Sequence, residues 1–97
     1  MESRVQSLKF DADQKLLDFV EKKVAKLERF DDAVSAVEVA LSLMEKPDNK
    51  NVKLQAYTTG NVLVIERSAK SFEEALNDCV DAMKEKIIRN KERRSEA

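Results

Sequence analysis

Apolar and polar positions change their period along this chain, and the changes mark out six elements. Residues 4–8 carry Val5 and Leu8 as their only strong apolar positions, which predicts a weak strand at a sheet edge. Asp11 or Asp13 then caps a helix in which Leu16, Leu17, Val20, Val24 and Leu27 recur at helical spacing, ending near Arg29 and Phe30. Strict alternation follows, with Val37, Val39, Leu41 and Leu43 against Glu38, Ala40 and Ser42, the period of a strand with one face on a core. Pro47, Asp48 and Asn49 break it. Residues 52–58 form a third strand with Val52, Leu54 and Ala56 inward and Lys53, Gln55 and Tyr57 outward. Thr59, Gly60 and Asn61 supply a tight turn, and residues 62–67 return as a fourth strand.

Ser71, with Glu74 three positions later, is the capping box of a second helix. Its apolar stripe is Phe72, Leu76, Cys79, Val80, Met83 and Ile87; the polar residues 90–97 are expected to fray, leaving about 91–97 as a basic tail. The order β-α-β-β-β-α, with two striped helices and one alternating sheet face, predicts an α+β two-layer sandwich. Its four-stranded sheet carries both helices on one face.

Ninety-seven residues, 38% charged and 42% hydrophobic, fit a single globular domain, 1–97. The longest apolar run, residues 62–65, is far too short to span a bilayer, and the N-terminus lacks the regions of a signal peptide. A cytoplasmic protein without a membrane partner is expected. The net charge of −1 hides a sorted distribution. Residues 71–81 hold four acids and no base, whereas 84–94 hold Lys84, Lys86, Arg89, Lys91, Arg93 and Arg94 against Glu85 and Glu92. Compensation of the helix macrodipole is confined to the terminal turn, so six bases over three turns exceed it. On the first helix Lys15, Lys22, Lys26 and Arg29 form a stripe nearly opposite the buried face. Lys86, Arg89 and Arg93 form another on the second helix, and if the helices are neighbours the two join into one basic surface. Such a surface suits a reader of the RNA backbone.

Other chemistries lack their parts. The chain has no histidine, which removes the commonest general base and transition-metal ligand. Cys79, the single cysteine, falls on the apolar stripe and reads as a small core hydrophobe. Gly60 is the only glycine, so no phosphate-cradling loop exists, and Asp31 and Asp32 read as turn residues. Neither an enzyme, a cofactor nor a small-molecule substrate is expected. Phe10, Phe19, Phe30 and Phe72 read as core, leaving Tyr57 as the one outward-facing aromatic, too few for a base-stacking platform.

Two stretches carry a family resemblance. Phe10-Asp11 with the run Lys22-Lys23-Val24-Ala25-Lys26-Leu27-Glu28-Arg29-Phe30 is similar to the first helix of the short-form ribosome hibernation promoting factors, also called ribosome-associated inhibitor A or sigma-54 modulation proteins. The run from Ser71-Phe72-Glu73-Glu74-Ala75 to Asp81-Ala82-Met83-Lys84-Glu85-Lys86-Ile87-Ile88-Arg89-Asn90-Lys91 resembles their second, basic-ended helix. The resemblance implies a translation inhibitor that binds the small ribosomal subunit and its ribosomal RNA in the decoding region, under conditions of poor growth, without catalysis. It implies RNA-binding roles for Lys22, Lys26, Arg29, Lys86, Arg89 and Lys91, to which the stripe on the second helix adds Arg93. Ala82 and Glu85 depart from positions where the family often carries lysine and arginine. Long family members add a C-terminal dimerisation domain, which is not expected in this chain, so ribosome pairing by the chain alone is not implied. The alternative family name suggests a second reading, a protein-binding regulator acting on a transcription factor.

Overall fold

The computed structural model describes residues 1–45 and 47–96 and has the order β1 (Glu2–Ser7), α1 (Gln14–Ala25), a 3-10 turn (Lys26–Phe30), β2 (Ala36–Leu43), β3 (Lys50–Thr58), β4 (Asn61–Ala69) and α2 (Phe72–Glu96). The strands form one sheet in the order β1-β2-β3-β4. β1 runs parallel to β2, as a helical crossover between them requires, while β2, β3 and β4 are joined antiparallel. The alternation read from the sequence sets the register. Val37 faces Ala56, which faces Leu63, and Val39, Leu54 and Ile65 make the next row. These rows and the stripes of both helices merge in one core, with Val20, Val24, Leu27, Leu76, Cys79, Met83 and Ile87 fully buried. The expected two-layer α+β sandwich is the observed fold.

Helix boundaries follow their caps. Asp13, and not Asp11, opens α1 by accepting from the Leu16 N–H at 2.8 Å. Ser71 Oγ accepts from the Glu74 N–H at 3.1 Å, the first half of the capping box. Gly60 takes φ 72° in the β3–β4 turn, a conformation that favours glycine. β1 begins two residues earlier than its apolar pattern predicts, because its pairing is held by backbone bonds such as Glu2 N–H to Ser35 C=O at 3.0 Å. Leu8, expected inside the strand, lies beyond it and is exposed.

The two helices run in the same direction. Phe10, just before α1, stacks on Phe72 at the start of α2 with ring centroids 5.2 Å apart. At the other end, Lys84 Nζ lies 5.1 Å from the centre of the Phe30 ring, and Arg94 pairs with Asp31. Twenty-five residues at about 1.5 Å each give α2 a length of about 37 Å. It therefore runs most of the 43 Å long axis. Residues 91–96, expected to fray, continue the helix, and Ala97 lies outside the described residues.

Candidate nucleic-acid interface

Parallel helices turn the sorted charge of the sequence into a polar molecule. Glu73 stands beside Asp13 and Lys15 at the end where both helices begin, whereas Lys22, Lys26, Arg29 and the bases of residues 84–94 gather where both end. There the C-terminal dipoles of two helices add to the attraction for cations. Lys22, Lys26, Arg29, Lys86, Arg89, Lys91 and Arg93 are all exposed. Among the described residues no carboxylate lies within ion-pair distance of Lys22, Lys26, Arg29, Lys86, Arg89 or Arg93. Cations left unpaired by their own chain are the ones a phosphate can use without first displacing a carboxylate.

The grouping of these cations differs from the expected single surface. α2 bears its bases on two flanks, because residues two apart on a helix point about 200° apart. Lys86 faces β4, where its Nζ donates to the Val64 carbonyl at 3.1 Å, and Arg89 and Arg93 follow it at spacings of three and four. Lys84 and Lys91 face the other way, toward Phe30 and toward Asp31. Glu85 and Glu92, seven apart, occupy the solvent-facing crest between the flanks. Lys91 therefore lies off the Lys86 stripe, on the α1 side. The chain tightens at Lys26 into a 3-10 turn, in which residues three apart eclipse, so Lys26 and Arg29 project together. On α2 two cationic sets result, Lys84 and Lys91 toward the α1 side and Lys86, Arg89 and Arg93 along β4, while Lys22, Lys26 and Arg29 stand exposed on α1 and the turn that follows it.

The second set lines a groove of about 310 Å³ with Asn61, Val62, Leu63 and Asn90. Neither asparagine is marked by the charge pattern; their meeting across 29 positions depends on how α2 lies over the β3–β4 hairpin. Arg94 and Asp31 form the fixed point of the helix end. Asp31 is 4% exposed and accepts from the Ala33 N–H at 3.0 Å, so this turn residue also anchors α2. Burial works against its ionisation, but the Ala33 N–H, the Arg94 guanidinium and the charge of Lys91 prevail and hold the carboxyl below the usual range.

A lowered carboxyl pKa in the folded state adds stability that is present above the usual carboxylate range and lost as pH falls through the folded value. Asp31→Asn is therefore expected to cost about 1–3 kcal/mol at neutral pH. That is below the figure for a wholly buried pair, since 35% of the Arg94 side chain meets solvent. Thermal melts should show the gap between wild type and variant narrowing as the pH is lowered below the usual carboxylate range.

The remaining candidates are occupied structurally. Cys79 is fully buried, donates to the Val52 carbonyl at 3.4 Å, and burial pushes its thiol up to about 11. Tyr57 lies on the outward sheet face, where partial burial and then the Glu38 carboxylate raise its hydroxyl pKa. Among the described residues no helix is long and apolar enough to cross a membrane.

Comparison with known proteins agrees with this architecture. The family described as Sigma 54 modulation protein / S30EA ribosomal protein matches residues 4–95. The crystal structure of the Thermus thermophilus Protein Y N-terminal domain superposes with a TM-score of 0.79 at 24% identity, over 92% of this chain and 98% of that one. A ribosomal subunit interface protein from Coxiella burnetii gives a TM-score of 0.79 at 15% identity, over 94% and 98%. At these identities the likeness is one of fold. No curated protein sequence matches the chain.

Proposed function

Because the chain belongs to the Sigma 54 modulation protein / S30EA ribosomal protein family, a family of ribosome-associated factors, we propose that it inhibits translation by binding the small ribosomal subunit through ribosomal RNA in the decoding region. The observation that carries this reading beyond the family is the gathering of exposed cations at the shared C-terminal end of two parallel helices. Each lysine or arginine that reaches a phosphate releases a counterion, so the complex draws its affinity from backbone contacts and weakens with salt. One structure of the same fold, from Coxiella burnetii, is a ribosomal subunit interface protein, which supports the same partner.

Inhibition follows from occupancy. A domain seated where messenger and transfer RNA pass excludes both without making or breaking a bond, and it acts in the compartment where ribosomes work. Cell-free translation tests this. Purified chain added before messenger RNA should suppress synthesis, whereas ribosomes already carrying messenger and transfer RNA should resist it. Equal inhibition in the two orders of addition would place the site away from the RNA path.

A further inference from the structure

We infer that the groove between α2 and β4 seats one unpaired nucleotide of single-stranded RNA. Its phosphate rests on Arg89 and Arg93 and its base edge on the amides of Asn61 and Asn90. The inference rests on the ribosomal-RNA reading and adds the form of RNA met at this flank. The groove, about 310 Å³, stands at the small end of ligand sites, which run roughly 300–1,000 Å³.

Its polar floor is a chain of hydrogen bonds. The Asn61 amide donates to Asn90 Oδ1 at 3.1 Å, and the Asn90 amide donates to Thr58 Oγ1 at 3.0 Å. Each amide nitrogen carries two N–H groups and uses one, which leaves one on each for a ligand acceptor. Asn90 sits where α2 turns from Ile87 toward the hairpin, three residues past the last fully buried stripe position. A half-buried amide there, in place of another apolar residue, is held in one orientation by two partners. The exposed Val62 side chain beside it offers the flat of a base an apolar surface.

The same groove is closed to a peptide strand. The carbonyls of Val64 and Glu66 are capped by Lys86 at 3.1 Å and Arg67 at 2.8 Å, and the Val62 N–H donates to Asn61 Oδ1 at 2.9 Å. Those are the groups that an added strand would need. A duplex could lay phosphates on the arginines, but its bases are turned inward; single strands can splay theirs outward to be read on their edges.

The test is fluorescence anisotropy with a labelled single-stranded oligoribonucleotide and the duplex of the same sequence, over a range of salt. The single strand should bind more tightly. Asn90→Ala should weaken single-strand binding roughly 3- to 10-fold, the effect of one net hydrogen bond, and leave duplex affinity and the salt slope unchanged because no charge is lost. Asn61→Ala, on the hairpin and away from the core of α2, repeats the measurement should Asn90→Ala lower the melting temperature. Equal affinity for the two RNA forms, or variants that bind single strands as wild type does, overturns the inference. If the wild type still sediments with ribosomes in that case, the ribosome reading stands and only the nucleotide seat is lost.

Discussion

Replacing Lys86, Arg89 and Arg93 together with glutamate should leave the chain folded and flatten the plot of log affinity for small subunits against log salt by about two to three units. The figure is three phosphate contacts at roughly 0.7–0.9 each, the lower value for single strands. All three residues are exposed and outside the core, and none is ion-paired among the described residues. The fold loses only the bond from Lys86 to the Val64 carbonyl, about 1 kcal/mol. Lys91 is left out of this set because it faces Asp31 across the opposite flank. Filter binding across a salt series reads the slope, and circular dichroism checks the fold. A folded triple variant with the wild-type slope would show that these bases only solvate the helix end.

Truncating Leu76 to alanine is expected to destabilise the protein by about 2–5 kcal/mol, the range for a buried leucine whose cavity only partly collapses. Leu76 is fully buried in the stripe that α2 lays over β3 and β4, among Leu54, Cys79 and Met83 of the same core. A domain of this size has stability of the order of 5–15 kcal/mol, so the loss is a large share. Urea unfolding measures it. A change below about 0.5 kcal/mol would mean that the stripe does not hold the sheet, as surface substitutions behave.

The fold was legible because each element carries its own period. Alternation in residues 37–43 gave the face and register of β2, and the Asp13 and Ser71 caps appear where serine or aspartate precedes an apolar stripe. Backbone-driven features were not legible. β1 starts at Glu2 because its N–H and C=O groups find β2, whatever its side chains are, and the 3-10 turn after Ala25 preserves the burial of Leu27 that an α-helical reading also predicts. For the site, charge sorting identified the basic end and helical spacing put Lys86, Arg89 and Arg93 in one stripe, whereas Lys91, which the family resemblance set beside Lys86 and Arg89, falls on the other flank because each residue turns the helix by roughly 100°. Asn61 and Asn90 carry no such signal. One reads as a turn residue and the other as the start of a polar tail, and only the packing of α2 on the hairpin brings them together.

Sedimentation of the purified chain with purified ribosomal subunits, at low and at high salt, tests the central claim most directly. The chain should travel with small subunits and not with large ones at low salt, and should stay at the top of the gradient at high salt, as binding to RNA phosphates requires. Absence from the small-subunit fraction at low salt would contradict the account. So would a complex that persists unchanged at high salt, which would point instead to a partner held by apolar contact.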